Sequence, residues 1–173
     1  MVLLENNIMN IFVLDEDPVK AAQYYCDKHI PKMCVELFQQ LGSAVIRHGA
    51  KPEQMPLTSK GTPLKGGYHN HPCTRWCGDS RENFKWAIDH AYSLCQEYTK
   101  RYNKIHKCET GILHLSFMTS FIPEGPLTNY ALAMPDEYKT NDAVQAYRTY
   151  YIKDKKYFAK WDKLNNTPDW WIL

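Results

Sequence analysis

The segment Cys26-Asp27-Lys28-His29-Ile30-Pro31-Lys32-Met33-Cys34-Val35-Glu36 opens a helix with two unlike faces. Ile30, Met33, Cys34, Leu37, Phe38, Leu41 and Val45 keep the i, i+3, i+4, i+7 spacing of a buried stripe. A helical residue turns about 100°, so His29, Lys32 and Glu36 fall within roughly 60° of one another. A carboxylate between two basic groups, at the edge of an apolar face, is open to both desolvation and charge tuning. Glu36 is therefore a candidate catalytic carboxylate, with His29 as its catalytic neighbour and Lys32 as a substrate-binding cation. The bland alternatives are a surface i, i+4 pair between Glu36 and Lys32, and a half-buried structural histidine at 29.

Pro31 is tolerated in the first turn of this helix, and Gly49, after His48, can take the left-handed cap that ends it. Upstream, Asn10-Ile-Phe-Val-Leu-Asp15 reads as a buried extended segment, and Asp17-Pro18 starts a short helix to about Cys26. Downstream, residues 50–69 form a loop that Pro52, Pro56, Gly61, Pro63, Gly66 and Gly67 punctuate and Lys51, Lys60 and Lys65 make basic. One long helix is expected from Asn70-His71-Pro72 to about Tyr102, a shorter one over Cys108 to Thr119, and a last one from Asp142 to Ile152. The stretch Pro123 to Tyr138 reads as irregular. The expected architecture is mainly α: a single compact helical domain over 1–173 with a short extended N-terminal segment and long irregular loops. Residues 1–8 read as an extra arm, since Met9 offers a second start.

Composition narrows the class. Charged residues at 23% and hydrophobic ones at 44% are ordinary for a globular chain and argue against disorder. A net charge of +2 gives no strong global attraction to nucleic acid, so any DNA-binding charge must be gathered on one face. The start carries Glu5 and no basic region, which is not the pattern of a signal sequence. Six cysteines are then expected to be reduced thiols in a cytoplasmic protein. No apolar run approaches the roughly 20 residues of a membrane span, and a monomer is expected.

Two further clusters carry chemistry. His69-Asn70-His71-Pro72-Cys73-Thr74-Arg75-Trp76-Cys77 lies where the basic loop enters a helix, whose free N–H groups favour anions. There His71 is a candidate catalytic group, Asn70 can read a base edge, and Arg75 can fork onto a phosphate. A zinc site from His69, His71, Cys73 and Cys77 is set aside, because the spacing matches no common zinc module. No metal and no cofactor is expected. The third cluster, Tyr147-Arg148-Thr149-Tyr150-Tyr151-Ile152-Lys153, interleaves aromatics with cations, which suits DNA, with Tyr147, Arg148 and Lys153 as contacts. An inward-packed helix end is the competing reading.

The order of these clusters resembles the pyrimidine-dimer DNA glycosylase family of phage endonuclease V type. The resemblance is carried by Asp27-x-His29 with Glu36 seven positions on, by His71-x-x-Thr74 at a helix start, and by Tyr147 to Tyr151. A branch of uncharacterised phage and microbial proteins looks closer still, through Lys32-x-x-Val35-Glu36 and Asn70-His71-Pro72. The resemblance implies a helical enzyme that binds double-stranded DNA and releases damaged or modified pyrimidines, with AP-lyase activity where an N-terminal amine attacks sugar C1′. Glu36 matches the family's assisting glutamate, and His29, Lys32, Asn70, His71 and Arg75 would hold phosphates or the opened base step. One departure stands out: no Thr lies near the start to supply the family's amine, and Asn10 follows Met9. A phage transferase or base-modifying enzyme using the same pocket, or a non-catalytic DNA-binding module, are the alternatives.

Overall fold

The computed structural model describes residues 10–172, so the arm at 1–8 and the start at Met9 lie outside the described residues. Six α-helices follow one another: α1 Pro18–Tyr24, α2 His29–Arg47, α3 Pro72–Asp79, α4 Arg81–Tyr102, α5 Glu109–Ser116 and α6 Ala143–Lys155. No strand is formed among the described residues, only an isolated antiparallel bridge between Leu57 and Pro63 in the basic loop. The architecture is mainly α, as the periodicities imply. No described helix is long and apolar enough to cross a membrane.

Local chemistry sets the ends. Asp17 caps α1, its Oδ1 accepting from the N–H groups of Val19 and Lys20, and Pro18 occupies the first turn. The expected continuous helix from 72 to 102 is two helices. Ser80 is extended (φ −150°, ψ 156°), and its Oγ accepts from Asn83 N–H to start α4 afresh. The same hydroxyl donates to Pro126 O, so the break is also pinned by the irregular segment. At the other end, α6 runs to Lys155, about one turn past Ile152, after a cap from Asp142 to Gln145 N–H.

The stripe of α2 is the core's spine: Ile30, Met33, Cys34, Leu37, Leu41 and Val45 are essentially inaccessible, facing Phe84, Ala87, Ala91, Leu94 and Cys95 of α4. The extended segment Asn10 to Leu14 is buried along its length, packed with α2 rather than paired in a sheet. Phe12 stacks on His29 (centroids 5.0 Å apart, planes at 8°), and Gln40 donates to Asn10 O. The segment thus passes His29 and Gln40, two of the buried polar residues of α2.

The C-terminal tail is tied to the start of α2 through Asp27. Its Oδ2 accepts from the backbone of Asp162 and Lys163, its N–H donates to Lys160 O, and its Oδ1 meets Arg101 at 3.1 Å. Arg101, fully buried, also pairs with Glu97 at 2.9 Å and donates to Tyr25 O and Gln23 O. A buried guanidinium with this many acceptors is satisfied, but losing one would leave an uncompensated charge.

Candidate active site

Glu36 sits in the middle of α2 with its side chain 13% exposed. One oxygen, Oε1, lies 3.7 Å from Lys32 Nζ, a loose i, i+4 pair. The other, Oε2, is buried with no hydrogen-bond partner. The backbone of Asn10 lies close enough to favour the ionised form of this carboxyl as well. Burial outweighs both stabilising contacts and pushes the carboxyl from the ordinary 4.5 to about 7. A carboxylate with one unsatisfied oxygen and a near-neutral titration point is poised to take or give a proton.

Asn10 connects this carboxylate to a groove. Its backbone addresses Glu36, its Nδ2 donates to Ala133 O, and its Oδ1 accepts from Cys73 Sγ at 3.7 Å. Ala133 lines an open groove of about 500 Å³ together with His71, Pro72, Met134, Tyr150 and Lys155. That size falls in the range of small-molecule sites. The α3 N-terminus, the irregular 126–135 segment and α6 therefore meet around the residue that holds Glu36.

His29 is buried one wall away. Its Nδ1 lies 2.7 Å from Tyr151 Oη, which also accepts from Cys26 N–H at 3.0 Å, and Phe158 closes its edge. Burial, then the cations Lys155, Lys32 and Lys28, lowers its titration point to about 3, so the ring is neutral at physiological pH. His71 caps α3, with Nδ1 accepting from Cys73 N–H, and the residue also lines the groove. Its titration point is also lowered by burial.

The remaining candidates divide by exposure. Asn70, Arg75 and Lys153 are exposed, and Arg75 offers its carbonyl to Arg47. Tyr147 is fully buried; its hydroxyl donates to Ala131 O at 2.6 Å and accepts from Ala133 N–H, bracketing the groove wall from behind. Arg148 donates to Leu14 O, meets Asp15 at 3.4 Å and stacks over Tyr24 and Trp170. The helical offsets 147, 150 and 151 are the signal for an inward-facing tyrosine row.

Three residues escape local sequence reasoning. Asn10 organises the site, yet reads only as part of a buried run. Lys155 is buried with its ammonium over the rings of Tyr150 (4.8 Å) and Phe12 (5.9 Å). Its place four residues after Tyr151 on the inward row is the signal that marks it. Tyr68, half exposed beside the His69-Asn70-His71 turn, holds a left-handed φ of 54° that a bulky residue seldom adopts. Cys73 and Cys77, weighed as metal ligands, are instead buried in the core.

Comparison with known proteins gives one match. The family model for pyrimidine dimer DNA glycosylase matches residues 9–110, more than half of the chain, and takes in Asn10, His29, Lys32, Glu36 and His71 but not α6. No curated protein and no solved structure matches the chain. With more than half of its length matched, the chain belongs to the pyrimidine dimer DNA glycosylase family.

Proposed function

We propose that the protein is a DNA glycosylase that breaks the N-glycosidic bond of a damaged or modified pyrimidine in double-stranded DNA, with Glu36 as its proton-handling carboxylate. The observation that carries this reading is the orphan Oε2 of Glu36, held beside Asn10 and shifted to about 7. Departure of the base breaks the C1′–N1 bond, with the electron pair leaving on N1, and develops positive charge on the sugar. A carboxylate at C1′ stabilises that charge. It then accepts a proton from the attacking water as the new C1′–O bond forms. Below pH 7 the carboxyl is increasingly protonated, so its base function fades there.

Extrusion of the target nucleotide needs a pocket. The groove beside Asn10 suits it, with His71 and Tyr150 among the residues of its wall. Neutral His29, locked to Tyr151, orders the Phe12 side of the site rather than carrying charge. Lys32, Asn70, Arg75 and Lys153 contact the duplex, together with the exposed loop cations Lys51, Lys60 and Lys65. Tyr147 and Arg148 act from behind, holding the groove wall and the extended segment.

AP-lyase activity requires an amine at C1′ in place of water. The Asn10 nitrogen beside Glu36 is a peptide amide and becomes such an amine only if the Met9–Asn10 bond is first hydrolysed, so a lyase step depends on that processing. The test is a duplex with a single cyclobutane pyrimidine dimer, incubated with and without borohydride and analysed by gel and intact mass. Glycosidic cleavage, seen as alkali-labile strand breakage, supports the reading, and a trapped protein–DNA adduct adds the lyase step. Intact glycosidic bonds on dimer DNA, with a new group found on hydroxymethylated pyrimidines, would replace it with base modification. Salt-dependent binding without turnover would leave a DNA-binding module.

A further inference from the structure

On the opposite side of the α2 stripe from Glu36, three soft donors meet inside the protein. Cys34 of α2, Cys95 of α4 and His106 of the α4–α5 connection place one ligand atom each within 4.8 Å of one another, and all three are buried. The neighbouring Cys95 thiol, together with burial, pushes the Cys34 thiol up. Cys108 lies near enough that a thiolate there would repel one at Cys34 or Cys95. Among the described residues this is the one such group of three or more.

The imidazole is set in a ligating tautomer by its own hydrogen bonds. Pro31 O can only accept, so His106 Nε2 carries the proton and donates to it at 3.0 Å. Nδ1 therefore keeps its lone pair, which now accepts from Cys108 N–H at 3.0 Å. A ring N–H donated to a backbone carbonyl is the arrangement that orients metal-bound histidines. Sulfurs on tetrahedral zinc stand about 3.8 Å apart, from a bond of about 2.3 Å. Cys34, Cys95 and His106 need a contraction of at most about 1 Å to reach that geometry, and Cys108, which lies outside that group of three, must turn its thiol in to complete it. As the metal takes Nδ1, the freed Cys108 N–H can turn towards a thiolate.

We propose that Cys34, Cys95, His106 and Cys108 form a structural zinc site that fastens α2 to α4 and to the α4–α5 connection. Binding releases the thiol protons and leaves three thiolates and one neutral imidazole on a divalent ion. No oxidant is consumed. The site is separate from Glu36 and does not depend on the glycosylase reading. The ion reinforces the first turn of α2 through Pro31.

The test uses the full chain, purified without chelator and under reducing conditions. Metal content is read by mass spectrometry, and zinc affinity by competition with a chromogenic chelator. One zinc per chain is expected, with thiolate-to-cobalt charge-transfer bands and tetrahedral d–d bands when cobalt replaces it. Cys95→Ser and His106→Ala should weaken zinc binding at least about 100-fold, since even outer partners of such ligands carry 10–100-fold effects. Cys77→Ala, in a different part of the core, should leave it unchanged. Cobalt spectroscopy of the unaltered chain decides the matter even if a variant misfolds. Absence of sulfur–cobalt bands, equal zinc uptake by Cys95→Ser, or a Cys34–Cys95 disulfide in the reduced, purified protein would each overturn the site.

Discussion

Replacing Glu36 by Gln should make the protein more stable in a pH-dependent way. Glutamine has the shape of the protonated acid but cannot ionise in the half-buried position. The carboxyl is raised from 4.5 to about 7, a shift of about 2.5. At 1.36 kcal/mol per unit this penalises the ionised form by at most about 3 kcal/mol. In the unfolded chain Glu36 loses its proton near 4.5, whereas the folded chain keeps it until about 7. Between those values the folded state binds more protons, so stability falls as pH rises and the full penalty is present above 7. The variant should therefore match wild type near pH 4 and exceed it by up to about 3 kcal/mol at pH 8. In a chain of this size that corresponds to a rise in Tm of about 6–12 °C. Urea unfolding of both proteins from pH 4 to 8.5 gives the difference curve, in which the unchanged histidines cancel. A pH-independent difference, or a variant less stable at pH 8, would refute the claim that burial governs this carboxyl.

Other perturbations test the frame around it. Asp27→Ala removes one acceptor from fully buried Arg101 and two from the tail backbone, and should cost about 3–5 kcal/mol by urea unfolding. Tyr151→Phe deletes the hydroxyl shared by His29 and Cys26 N–H and should cost about 1–3 kcal/mol, while cleavage falls less than in Glu36→Gln. Neutral buried His29 (about 3) and His90 (about 4) make the folded state bind fewer protons than the unfolded one below pH 6.5. Their contribution to stability should thus be lost as pH falls from 6.5, read as proton uptake on acid unfolding. Lys60→Ala with Lys65→Ala should lower the slope of log K against log salt for duplex binding by about 2, with little change in base preference.

Much of the architecture was legible because its causes are local. Asp17-Pro18 caps and starts α1, Gly49 ends α2 with a φ of 99°, and the Ile30-to-Val45 stripe is the core. The break at Ser80 was hidden because Trp76 and Phe84 keep helical phase across it, while the groups that force it, Asn83 and Pro126 O, lie on different segments. Glu36 and His29 were readable as a pair from their offset on one helix. Asn10 was not, because its importance comes from three partners in three other elements. Cys34, Cys95 and His106 were invisible for the same reason: no local spacing joins donors that only helix packing brings together.

The most direct measurement is single-turnover cleavage of a dimer-containing duplex by wild type and Glu36→Gln across pH 5 to 9. The account predicts a wild-type rate that climbs with pH and levels above about 7, where the carboxylate is ionised. Glu36→Gln should be folded, bind the duplex with unchanged salt dependence, and cleave at least about 100-fold more slowly at pH 8. A variant that cleaves as fast as wild type, or a wild-type rate flat across that range, would contradict it.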